Sequence, residues 1–247
     1  MLMICLRYLA TSCRYPTLAY SFKIGISTVQ KIISTTCQAI WQTLVGKHMP
    51  PPTLTDFEDS KGIVDANGKF ITVDVGSYGS ESDGGVFANS KIYKMIEKGD
   101  IQLPPYKKLS NSSLLFPHFF VADDAYPLKS YILKPYKGIL TPQQEAFNYR
   151  ISRARIQVEC AFGILRAKWM IFDCPLDTKL SLTEYIIKTC TLLHNIIIDK
   201  ERFISFNSKI KSPPKKLFKP QSIKSATSIA KFNRNLLCLY LYKNPIL

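Results

Sequence analysis

The chain has 247 residues, 46% of them hydrophobic and 21% charged, with 33 Lys and Arg against 18 Asp and Glu and a formal net charge of +15. At roughly 150 residues to a domain this is one full domain with extensions, and the composition excludes wholesale disorder and fibrous repeats. The best apolar run, Leu236 to Tyr242, is far short of the roughly 20 residues of a membrane span, and Arg7 breaks the apolar N-terminus early, so neither a membrane segment nor a signal peptide is expected. The seven cysteines form no Cys-x-x-Cys pair, which argues against structural zinc and suits reduced thiols in nucleus or cytoplasm.

Residues 1–48 read as a helical segment. Leu2 to Ala10 is a short apolar helix, Pro16 suits the start of a second, and Gly25 supplies a turn. Ser27 is the expected N-cap of a longer helix, after which Val29, Ile32, Ile33, Cys37, Ile40, Trp41 and Leu44 recur at helical spacing. Short helix, turn and capped longer helix is the helix-turn-helix pattern, and it turns Thr28, Gln30, Lys31 and Ser34 outward, where a recognition helix meets DNA. The same pattern also describes plain helix packing. Residues 49–61, with Pro50, Pro51 and Pro52, read as a linker.

Residues 62–200 read as the main α/β domain. Ile63 to Asp65 and Phe70 to Val73 flank Asn67-Gly68, the signal of a β-hairpin. The glycine-rich stretch from Gly76 to Gly85 lacks the Gly-Lys-Ser/Thr of a phosphate-binding loop. Within it Asp83 stands just before Val86, as a helix N-cap or a ligand. His118 to Ala122 is a short apolar strand that ends in Asp123-Asp124, a turn or a carboxylate pair at the rim of a sheet. The longest helix is expected from Gln143 to about Met170, with Ile151, Arg155, Val158, Phe162, Leu165 and Trp169 on one stripe. Arg155 and Glu159 form an i,i+4 pair there, a surface ion pair unless Glu159 reaches the sheet rim as a ligand. Arg150, Arg153, Arg155 and Arg166 make the helix basic, as phosphate contact requires. Leu182 to Ile198 is a final apolar helix carrying His194-Asn195, with the histidine read as a core or capping residue.

Residues 201–247 read as an unordered basic tail. From Arg202 onward there are 10 Lys or Arg and no Asp or Glu, so the tail holds most of the excess charge. Pro213-Pro214-Lys215-Lys216 suits nuclear import or a phosphate-binding arm, with Lys215 and Lys216 as DNA contacts.

Val121 through Leu128, containing Asp123-Asp124, resembles the second-aspartate motif of Harbinger-type (PIF/Harbinger) DDE transposases, and Phe147 through Gly163, containing Arg155 and Glu159, resembles their glutamate helix. Thirty-five residues lie between Asp123 and Glu159, as in many DDE enzymes. Gly79-Ser80, Ser82-Asp83, Val86-Phe87 and Leu193-His194-Asn195 match as well, and residues 6–33 look like the helix-turn-helix that precedes this catalytic domain. The resemblance implies a ribonuclease-H-like mixed sheet flanked by helices. It implies divalent-metal-dependent hydrolysis of DNA phosphodiesters, with Asp123 and Glu159 as catalytic residues and ligands of Mg²⁺ or Mn²⁺. It also leaves room for a protein partner that supplies additional DNA binding. The chain departs from the family at the first aspartate. Only Thr53 to Lys61 stand where a first strand carrying Ile-Asp-Gly should be, and they contain no such motif. Asp83 is the candidate replacement as third metal ligand. Alternatives are a catalytically inactive DNA-binding protein derived from a transposase and a degenerate transposon product.

Overall fold

The computed structural model describes residues 1–50, 64–65, 67–73, 75, 83–100, 104–110, 112–176, 178–201 and 227–244. The helices among these residues are α1 (Leu2–Thr11), α2 (Tyr15–Phe22), α3 (Ile26–His48), α4 (Asp83–Asn89), α5 (Lys91–Lys98), α6 (Pro142–Lys168), α7 (Leu180–Glu201) and α8 (Ser228–Lys243), with a 3-10 turn at Met170–Asp173. The strands are β1 (Lys107–Lys108), β2 (Leu115–Phe116), β3 (Phe120–Val121) and β4 (Ile132–Leu133). They form two compact units. The first takes Met1–Pro51, Asn67–Gly76 and Cys160–Ile210, and the second Pro52–Ala66, Ser77–Glu159 and Lys211–Leu247. This division does not follow the sequence boundaries at residues 48 and 62, because α3 packs along α7 from the other end of the chain.

The first unit is helical. Val29, Ile33 and Cys37 recur every fourth residue on α3 and are fully buried, while α1 and α2 pack on the same helix. Pro16 opens α2, and Lys23 closes it in the left-handed conformation at φ 53°. The expected cap at Ser27 is a residue of the helix itself. Gly25, extended, is the N-cap, because its carbonyl already accepts the Val29 amide at 3.0 Å, and no side chain caps the end. Cys5 and Cys37 bring their sulfurs to 3.5 Å in this core, and Thr189 of α7 donates to the Cys37 carbonyl at 3.1 Å.

The segment around Phe70 is held to α7 by two buried polar side chains. Asn195 Oδ1 accepts the Phe70 amide at 2.8 Å, and its Nδ2 donates to the Phe70 carbonyl at 2.8 Å and the His48 carbonyl at 3.0 Å. His194 Nε2 donates to the Gly68 carbonyl at 2.8 Å, where Gly68 has φ +83°, a conformation that favours glycine. Burial holds the His194 pKa below its ordinary value. The hairpin expected around Asn67-Gly68 lies partly outside the described residues. Val64, Asp65 and Phe70 are bridge residues within it.

In the second unit β3 and β4 pair in parallel, Phe120 with Ile132 and Val121 with Leu133. Alternation sends the side chains to two faces. Val121 and Leu133 join Phe116, Leu128, Phe147 and Ile151 beneath Ala230, Leu237 and Cys238 of α8. Ala122 and Ile132 point the other way, with Tyr131, towards Phe87 of α4 and Ile96 of α5. A strand pair covered by helices on both faces is α/β layering in miniature. β1 and β2 form a separate antiparallel pair. The chain is thus mostly helical with small sheets, and the broad mixed sheet expected from the resemblance is not present among the described residues. The expected strand from His118 to Ala122 is cut to two residues, because among the described residues a single neighbour bonds it, through the Phe120 and Ala122 amides.

Two further expectations are corrected. Buried positions on α6 include Phe147, Ile151, Ala161 and Leu165, with Trp169 buried just past its end, whereas Phe162 of the expected stripe is 53% exposed and meets Phe70 edge-on. The tail is not structureless over its whole length. Thr227 caps α8 by accepting the Ala230 amide at 3.3 Å, and the apolar residues from Ala230 to Cys238 have a core to enter. Among the described residues no helix is long and apolar enough to cross a membrane.

Candidate active site

β3 ends at Val121, and the chain turns at once through Asp123 and Asp124. Asp123 Oδ1 accepts the Ala125 amide at 2.9 Å, so the first carboxylate organises its own turn. The neighbouring carboxylates then diverge. Asp124 pairs with Lys137 at 2.5 Å and lies 3.9 Å from Lys134, which also donates to the Asp124 carbonyl at 3.2 Å. Burial holds the Lys134 pKa below its ordinary value, against the opposing pull of Asp124. Asp123 Oδ2 turns to α6, where Arg155 stands 3.9 Å away.

The same Arg155 nitrogen is 3.8 Å from Glu159 Oε1, one helical turn further on. One guanidinium therefore serves both carboxylates, and their oxygens lie within about 8 Å of each other. The side chains keep partial contact with solvent: 20% of Asp123, 31% of Arg155 and 46% of Glu159 is exposed.

Helix α4 closes against this turn. A Cβ on Gly84 would run into the Ala125 carbonyl oxygen, so only glycine allows the two backbones so close. Asp83, the first residue of α4, precedes that contact. Its side chain lies outside the described residues.

A two-metal centre needs at least three convergent oxygen ligands to hold its cations. Among the described residues no group of three His, Cys, Asp or Glu side chains converges. The donor set at the strand end is two carboxylates with a guanidinium at salt-bridge distance from both. That arrangement has the chemistry of a compensated ion-pair cluster, and it does not fit the expected metal pair.

The residues expected at DNA are distributed as follows. Thr28, Gln30 and Lys31 are exposed on α3 and Ser34 is half-buried. Lys215 and Lys216 lie outside the described residues. The arginines of α6 are mostly engaged within the chain: Arg150 donates to the Asn244 carbonyl at 2.9 Å, Arg155 is committed as above, and Arg166 pairs with Asp173. Arg153 lies against the exposed ring of Tyr149. The sequence reading missed the reach of Arg155 to Asp123. Its place four residues before Glu159 was the available signal, but the second contact depends on how β3 meets α6.

The sequence profile of a family described as DDE superfamily endonuclease matches residues 59–195, a span that contains Asp83, Asp123, Arg155, Glu159 and the His194-Asn195 pair. A protein of Arabidopsis thaliana described as "Protein ALP1-like" is 37% identical over 147 residues, which is 57% of this chain and 35% of that protein. The chain thus spans about a third of the length of this curated relative. No solved structure matches it.

Proposed function

The chain belongs to the DDE superfamily endonucleases of Harbinger type, and from that premise we propose that it is a transposase-derived nuclear protein that binds duplex DNA without cutting it. The observation that carries this reading is the shared guanidinium. Arg155 already neutralises Asp123 and Glu159 in the place where cation charge is needed for phosphodiester hydrolysis. Family membership supports DNA as the polymer. Charge supports it too: residues 1–50 carry Arg7, Arg14, Lys23, Lys31 and Lys47 and no acidic residue, so the helical segment has no like charge to repel phosphates. We read α2, the turn through Lys23 to Gly25, and α3 as a helix-turn-helix with Thr28, Gln30, Lys31 and Ser34 towards the bases. The layers around β3 and β4 are read as part of a ribonuclease-H-like core.

A second reading has one observation in its favour. The contact of Gly84 with Ala125 brings the start of α4 beside the Asp123 turn, and Asp83 would then be the third ligand of a divalent-metal-dependent nuclease. One experiment separates the two. Purified protein is titrated onto labelled duplex DNA, and plasmid nicking is measured with Mg²⁺ and with Mn²⁺ beside Asp123→Ala and Glu159→Ala. Binding with no nicking above the two variants is the expected result. Metal-dependent nicking that both variants lose would overturn the proposal, and its further loss in Asp83→Ala would establish the second reading.

A further inference from the structure

Helix α8 has two apolar sides, and among the described residues only one of them packs into the fold. The inner face carries Ala230, Leu237 and Cys238 onto β3, β4 and α6, and Asn233 donates to the Ser130 carbonyl at 3.4 Å. On the outer side Ile229, Phe232 and Leu239 are 61%, 64% and 46% exposed. These three stand at i, i+3 and i+10 along one side of the helix, and Leu236 between them is partly buried and packs against the inner cluster. Single exposed apolar residues are ordinary on a protein surface, but three large ones along one side of one helix mark a surface that meets another molecule.

The charges beside the stripe restrict what that molecule is. Lys231 and Lys243 are exposed on the same helix, and neither pairs with a carboxylate among the described residues. From residue 202 to the end there is no Asp or Glu at all. Two copies of α8 laid together would set lysines against lysines with no carboxylate on either helix to meet them, so charge opposes self-pairing. A DNA backbone would satisfy the lysines and leave the stripe in water. The surface that satisfies both is an amphipathic helix with apolar residues along one face and carboxylates at its edges. The receiving helix is already held by its inner face, so little ordering cost remains for the encounter.

We propose that the outer face of α8 is the docking surface for an acidic amphipathic helix of a partner protein. The surface does not depend on whether the chain cuts DNA.

The test uses the full chain and three fluorescent peptides of equal length. One is a helix-forming peptide with Leu at i, i+3, i+7 and i+10 flanked by Glu, the second has the same composition scrambled, and the third carries Lys in place of Glu. Anisotropy should show the acidic amphipathic peptide binding at least tenfold more tightly than the other two. Phe232→Glu with Leu239→Glu should remove that preference while leaving the melting temperature within a few degrees, since both side chains face outward. Lys231→Glu with Lys243→Glu should weaken the acidic peptide and recover binding of the lysine peptide. Equal binding of the acidic and scrambled peptides would overturn the proposal, because net charge would then account for everything. So would a dimer, seen by sedimentation, that dissociates in the Phe232→Glu, Leu239→Glu variant.

Discussion

On the proposed reading Arg155 takes the place of a metal cation beside Asp123 and Glu159, and its removal tests this. In Arg155→Met the two carboxylates lose their common partner. Partly exposed pairs contribute little, so the expected loss is about 1 kcal/mol. The informative change is qualitative: Mn²⁺ or Mg²⁺ should raise the melting temperature of Arg155→Met and leave that of the parent chain nearly unchanged. An equal metal response in both proteins would show that the guanidinium does not stand in for the ion. His194 gives a second prediction. Its folded pKa lies below 6.5, so the unfolded chain binds more protons than the folded one between the folded value and pH 6.5. Stability therefore rises with pH across that window, and it falls as the solution is acidified below about pH 6.5. His194→Gln should flatten that part of a plot of urea midpoint against pH. Gly84 gives a third. Its Cβ has no space beside the Ala125 carbonyl, so Gly84→Ala should cost about 1–3 kcal/mol and displace the Asp123 turn, read as a lowered denaturation midpoint.

At the scale of elements, what the sequence disclosed followed period. α3, α6 and α7 each bury residues spaced three or four apart, and their extents agree with the expected helices to within a few residues. β3 and β4 were less legible, because strands of two residues are too short to show alternation, and their two faces are assigned by which helices cover them. α8 was missed because the proline- and lysine-rich stretch before it dominates the composition of the tail. Thr227 as cap and the run from Leu236 to Tyr242 were its readable signals. Of the site, the nearness of Asp123 and Glu159 was legible only through the family spacing, since nothing local in either segment refers to the other. α3 offers a direct test of the DNA reading. Lys31 is exposed and not needed for packing, so Lys31→Glu should weaken duplex binding several-fold in low salt and leave the fold intact. Unchanged affinity would remove α3 from the DNA surface.

For the whole molecule, the location of charge decides which experiment is clean. Cutting the chain after Glu201 would remove α8 together with Ala230, Leu237 and Cys238 from the core, so any loss of DNA binding would be confounded with unfolding. Replacing Lys209, Lys211, Lys215, Lys216 and Lys219 by Gln takes away charge alone. If these lysines neutralise phosphates, the slope of log affinity against log salt should become shallower by about 0.9 for each phosphate that is no longer neutralised. An unchanged slope would assign phosphate binding to the helical segment.

The grip of Asn195 on Phe70 has a consequence for the protein in concentrated solution. The Asn195 amide takes up the Phe70 N–H and carbonyl, the two groups that an added strand would otherwise bond. An open ladder is a template on which other chains can pair and grow. Asn195→Leu keeps the bulk of the side chain and uncovers the Phe70 amide and carbonyl. Its expected behaviour is a concentration-dependent rise in light scattering and in binding of amyloid dyes, at temperatures where the parent chain stays clear. The residue pair that fastens α7 to the Phe70 segment would then also be the protein's guard against fibre formation.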